Sequence, residues 1–87
     1  MACLFIPASL RDVTQGVTSL EVPAATVGDA LDAADQLHPG LRCRLCDGTR
    51  LRAGLMLSID GRIATLGLRE PVEAHTEIHI ISAIGGG

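Results

Sequence analysis

The chain has 87 residues, enough for one small domain, and a formal charge of −3. That balance argues against nonspecific nucleic-acid binding, and with Phe5 as the sole aromatic residue there is no platform for stacking bases or sugars. All seven cations are Arg and none is Lys, so no side-chain amine is present to accept an acyl group.

Taken in order, Cys3 to Ile6 is a short apolar run closed by Pro7, the pattern of a buried strand. Ala8 to Gly16 is a connection in which Leu10 and Val13 sit one helical turn apart. Val17 to Val22 alternates imperfectly and predicts a second strand, paired with the first as a hairpin.

The clearest helix follows. Thr26 is placed as its N-cap, with Asp29 three residues on as in a capping box. Val27, Ala30, Leu31 and Ala34 recur at helical spacing, Leu37 extends the stripe, and Asp32, Asp35 and Gln36 are assigned to solvent. Pro39-Gly40 ends the element. Leu41 to Gly54 reads as an irregular Arg-rich link pinned to the core by Leu41 and Leu45. Leu55 to Ile59 alternates as a third strand, with Leu55, Leu57 and Ile59 inward and Met56 and Ser58 outward. Asp60-Gly61 is a tight-turn signal, after which Ile63 is expected in the core. Leu66 to Val72 holds one turn or a brief edge strand. Glu77 to Ile84 is the last strand, with Ile78 and Ile80 on one face and His79 and Ile81 on the other.

One helix against one face of a mixed sheet is an α+β arrangement. The crossover rule sets the first and last strands side by side and parallel, which is the ubiquitin-like β-grasp: a mixed sheet of four to five strands with one main helix. Residues 1–84 form this domain and 85–87 a flexible glycine tail. Glycine at a free end builds neither helix nor core, but it enters slots too narrow for a Cβ atom. The α-carboxylate of Gly87 would stand at its tip, anionic at neutral pH.

Several stretches together resemble the small sulfur carriers of the MoaD/ThiS type, ubiquitin-like proteins that end in Gly-Gly. They are Ile6-Pro7-Ala8-Ser9-Leu10-Arg11, Leu37-His38-Pro39-Gly40-Leu41-Arg42, Leu45-Cys46-Asp47-Gly48 with Leu51-Arg52, Leu57-Ser58-Ile59-Asp60-Gly61, and Ile78 to Gly87. The chain departs from the pattern at Ser82, where Pro is common, at His75-Thr76, where Gly-Asp is usual, and at the extra Gly85.

The resemblance implies that Gly87 is the reacting residue, with Gly86 beside it. A separate ubiquitin-activating-like adenylyltransferase would activate the carboxylate with ATP and Mg, no cofactor being bound by the carrier itself. A sulfurtransferase or cysteine desulfurase would then supply sulfur, and the thiocarboxylate would serve an enzyme of cysteine, molybdopterin, thiamine or similar biosynthesis. Met56 and Ile81, with Ile84 and Gly85 at the root of the tail, form the expected partner-binding patch. A modifier conjugated through Gly87 and an interaction module with an inert tail are the alternatives.

The other chemistry-bearing residues carry weaker signals. Cys43 and Cys46 form a lone CxxC outside the strand-to-helix setting of redox motifs, and the resemblance puts Cys46 in a slot that is apolar in the family pattern. Three cysteines make no disulfide framework. His75 and His79 lie across a turn and strand, and Arg42, Arg44, Arg50 and Arg52 read as a solvated link. With no signal peptide or apolar span, the expected location is the cytoplasm, without membrane or nucleic-acid partners.

Overall fold

The computed structural model describes residues 1–48, 50–52, 54–64 and 66–82. The strands are β1 (Ala2–Phe5), β2 (Ser19–Val22), β3 (Cys46–Asp47), β4 (Arg50–Leu51), β5 (Leu55–Ile59), β6 (Arg62–Ile63) and β7 (Glu77–Ser82). The helices are α1 (Val27–Leu37) and α2 (Leu41–Leu45), with single 3-10 turns at Ala8–Leu10 and Gly67–Arg69. Five strands form one sheet in the order β2-β1-β7-β5-β6. β1 and β7 are parallel neighbours, while β5 runs antiparallel to β7 with Leu55 opposite Ser82 and Ile59 opposite Ile78. This is the expected β-grasp topology, with the last strand in the middle of the sheet.

α1 forms as its spacing dictates. The Thr26 hydroxyl accepts the Asp29 N–H at 3.2 Å. Asp29 reaches back to the Ala25 N–H at 3.3 Å, one residue before the cap itself. Val27, Ala30, Leu31 and Ala34 are buried against Leu4, Val22, Leu57, Ile59, Ile78 and Ile80 from the sheet. Each large aliphatic side chain so buried contributes about 1.5–3 kcal/mol. At Gly28 the helix passes close to the Gly67–Arg69 turn, and a Cβ there would lie a tight 3.2 Å from the Leu68 carbonyl oxygen. Residues 70–72 strap the start of α1: Val27 N–H donates to Glu70 and Val72 N–H donates to Ala25.

Four expectations are corrected. Residues 41–51 are not irregular, because α2 and the β3–β4 hairpin occupy them. Asp35 is not a bystander, since one carboxylate oxygen accepts the N–H groups of Gly40 and Arg42, both at 3.1 Å, and so starts α2. Leu37 is 60% exposed, the last turn of α1 overhanging the sheet. Ile63 is 50% exposed rather than in the core. The turn before it explains why. Asp60 and Gly61 both take positive φ, 50° and 89°, the backbone of a two-residue hairpin. That turn sets Ser58 opposite Ile63, so the two share a face, and Ser58 points outward. Ser58 is nonetheless buried, covered by its cross-strand neighbours His79 and Ile63.

His75 stands at φ +71°, a position glycine fills more readily. Its N–H donates to the Met1 carbonyl at 2.9 Å, tying the start of β1 to the turn before β7.

Candidate functional site: the outer sheet face

The helices cover one face of the sheet, and the other is open. Strand alternation sends Cys3 and Phe5 from β1, Ser19 and Glu21 from β2, Met56 and Ser58 from β5, and Glu77, His79 and Ile81 from β7 to that open face. The register arranges them in rows. Met56 and Ile81 are direct cross-strand partners, 37% and 43% exposed. Phe5 and His79 are partners on parallel strands, with rings stacked 6° from parallel and centroids 4.2 Å apart. Cys3 lies between Glu21 and Glu77, its partners on either side.

Met56 and Ile81 therefore meet on this face, as their alternation predicts, next to Ser82, the last described residue of β7. Ile84, Gly85, Gly86 and Gly87 lie outside the described residues. Sequence reading missed two further members. Ile63 belongs to the face because of the Asp60-Gly61 turn, a signal already present in that dipeptide. The Phe5–His79 stack depends on the β1–β7 register, which no local pattern encodes. A groove of about 230 Å³ opens beside Met56 and Ile63, with Leu51, Leu55 and Ala64 among its walls.

The thiols sit in three environments. Burial raises the Cys3 thiol above its ordinary pKa, and Glu21 and Glu77 reinforce this against a weaker Ser19 hydrogen bond. Cys43 is exposed and Cys46 buried on either side of the last turn of α2. Burial raises the Cys46 pKa too, with Arg42 opposing. Among the described residues no group of three His, Cys, Asp or Glu side chains converges as metal ligands do. The Arg cluster is only partly a solvated link. Arg42 lies 2.6 Å from Asp32, and Arg52 donates twice to the Cys43 carbonyl, at 3.0 and 2.8 Å. Arg44 and Arg50 remain exposed. His79 Nε2 is 3.5 Å from Glu77 Oε1, and His75 is exposed. Among the described residues no helix is long and apolar enough to cross a membrane.

A family model described as "ThiS family" matches residues 4–87. The chain belongs to the ThiS family. It has the ubiquitin-like sulfur-carrier fold, and ThiS-family proteins are small carriers rather than enzymes. No curated protein matches the chain. Three solved structures are similar along their whole length. A chain of the Amycolatopsis orientalis BexX/CysO complex is 27% identical with a TM-score of 0.91, each chain covered in full. Mycobacterium tuberculosis CysO is 20% identical, covers 97% of this chain and 100% of its own, and has a TM-score of 0.87. SAMP1 from Haloferax volcanii is 31% identical, covers 99% and 98%, and has a TM-score of 0.78.

Proposed function

We propose that this ThiS-family chain carries sulfur on its C-terminal glycine. A free carboxylate is a poor acyl donor because its oxygen is a poor leaving group. The Gly87 carboxylate attacks the α-phosphorus of ATP in the active site of a separate, Mg-dependent adenylating enzyme, and pyrophosphate leaves. A persulfide on a sulfurtransferase or cysteine desulfurase then adds to the acyl carbon and displaces AMP, and a thiol cleaves the resulting acyl disulfide, forming a disulfide with the donor's cysteine and leaving the sulfur on Gly87. The resulting thiocarboxylate hands its sulfur to an acceptor in a biosynthetic enzyme, with cysteine, molybdopterin or thiamine synthesis as candidate destinations. Gly86 and Gly87 bring no side chain to obstruct the phosphate.

The observation that carries the reading is the family match reaching Gly87, joined to the position of the Met56–Ile81 pair at the root of that end. An exposed apolar patch marks an interface, and this one adjoins the segment that must enter a partner's active site. In this reading Met56, Ile81, Ile84 and Gly85 contact the adenylating enzyme, and Gly86 and Gly87 enter it. The work is cytoplasmic, where ATP and reduced thiols are available.

Pyrophosphate exchange with the adenylating enzyme purified from the source cells tests it. The expected result is exchange with the intact chain, and its loss both on deleting Gly87 and on adding one residue after it. Deletion moves the carboxylate by about 3.5 Å, and about 1 Å of misplacement costs roughly a hundredfold in rate. Equal exchange by all three chains overturns the proposal. A second reading, a modifier joined to target amines through Gly87, is favoured by the likeness to SAMP1, whose full name among the similar structures is small archaeal modifier protein 1. Intact mass from native cells separates the two. Sulfur in place of oxygen marks the carrier, and a conjugate of protein size marks the modifier.

A further inference from the structure

The open sheet face is not uniform along the strand direction. Down the outer side of β7 the residues are Glu77, His79 and Ile81, changing from acid to aromatic to aliphatic over about 13 Å. In the same direction the outward residues run from Glu21 to Ser19 on β2, from Cys3 to Phe5 on β1 and from Ser58 to Met56 on β5. At the Glu77 end, the register sets Glu21, Cys3 and Glu77 in one row across three strands. Glu21 and Glu77 are both exposed, and no Arg among the described residues pairs with either. Cys3 thus has a carboxylate-bearing residue directly opposite it on each neighbouring strand. In the middle lies the Phe5–His79 stack. At the Ile81 end the face turns apolar, with Met56 opposite Ile81 and the groove beside Met56 and Ile63.

We propose that this gradient sets the direction in which the adenylating partner docks. An Arg or Lys side chain of the partner lies over the Glu21–Cys3–Glu77 row, and an apolar wedge of the partner covers Met56 and Ile81 and enters the groove. The inference rests on the proposed docking of that enzyme to this face. A purely apolar patch fixes contact but leaves rotation about the sheet normal loosely determined. Two carboxylates about 13 Å from the apolar pair remove that freedom, because a cation opposite them meets no counter-charge if the complex is turned around. Direction matters here because the chain must leave Ser82 toward the nucleotide. The charged row acts in the encounter, since complementary rim charges accelerate association, whereas the apolar end holds the complex once formed.

The test measures association and dissociation rates of the full chain with the purified adenylating enzyme at low and at physiological salt. The double substitution Glu21→Lys with Glu77→Lys is expected to slow association roughly tenfold at low salt and to abolish or invert its salt dependence, leaving dissociation nearly unchanged. Ile81→Asp is expected to speed dissociation instead. Both positions of the double variant are exposed, and Glu21→Gln with Glu77→Gln serves as a milder control with the same expected direction. If Ile81→Asp weakens the complex but both double variants associate at the wild-type rate with the wild-type salt dependence, the directional proposal is overturned and the docking face stands. If Ile81→Asp also leaves binding unchanged, the docking face itself falls, and the directional proposal with it.

Discussion

Arg62 Nη2 lies 2.9 Å from Glu70 Oε1, joining an exposed guanidinium on β6 to a carboxylate whose side chain is only 6% exposed. The other oxygen of that carboxylate accepts the Leu66 N–H at 3.2 Å. The pair therefore fastens the hairpin that carries Ile63 to the strap that closes over the start of α1. Removing the guanidinium takes one charge-assisted hydrogen bond from a buried carboxylate, a loss of about 1–3 kcal/mol. Arg62→Gln is expected to lower the urea midpoint accordingly with an unchanged slope. Glu70→Gln retains an acceptor for Leu66 and is expected to cost less than Glu70→Ala. Equal midpoints for wild type and Arg62→Gln would show that the pair contributes nothing measurable.

His75→Gly is expected to stabilise the domain. The site needs φ near +71°, which costs a residue with a Cβ atom more than it costs glycine. The N–H that donates to Met1 is kept. The expected gain is about 0.5–1 kcal/mol, less whatever glycine adds to the entropy of the unfolded chain. Thermal unfolding reads it as a rise in Tm, and a fall would place a stabilising role on the imidazole.

Thr26→Ala removes the acceptor for the Asp29 N–H and is expected to cost about 1 kcal/mol. Thr26→Ser, which keeps the hydroxyl, is expected to restore most of it. Equal losses from both substitutions would move the effect from the cap to the lost methyl group.

How much of this was open to a sequence reader differs by element. The start and body of α1 were legible, because Thr26, Asp29 and the Val27–Ala30–Leu31–Ala34 stripe are local signals that tertiary contacts reinforce, whereas the roles of Asp35 and Leu37 in its last turns were not. The parallel pairing of the first and last strands was expected from one chirality rule, which does not set the rest of the strand order. Residues 41–51 were not legible, since a five-residue helix and two-residue strands span too few repeats of their periods to show a pattern. There the decisive groups act across the chain, Asp35 on the start of α2 and Arg52 on the Cys43 carbonyl. On the open face, Met56 and Ile81 were readable from alternation alone. The Glu21–Cys3–Glu77 row was not, because it exists only once three strands are in register.

The three thiols are expected to react in a fixed order. Cys43, exposed, is alkylated first by iodoacetamide at neutral pH. Cys3 follows, slowed by partial burial and by an elevated pKa that keeps it protonated until the solution is more alkaline than an ordinary thiol requires. Cys46, buried and also elevated, reacts only on unfolding. Replacing Glu21 and Glu77 by Gln is expected to shift the pH profile of Cys3 alkylation downward, since both carboxylates disfavour the thiolate. Peptide mass mapping over time and pH checks the order, and a profile for Cys3 that ignores both substitutions would remove the carboxylates from its surroundings.

The central position of β7 has a consequence for the timing of folding. β1 and β5 meet through β7 and not each other, so a nascent chain that has not yet emitted Glu77 to Ser82 holds the β1–β2 and β5–β6 hairpins with no strand to join them into one sheet. Pairing the first strand with the last spans nearly the whole sequence, and such long-range closure is slow. A chain stalled short of Ser82 cannot assemble the sheet and stays open to proteolysis, so the domain folds only once β7 has been made.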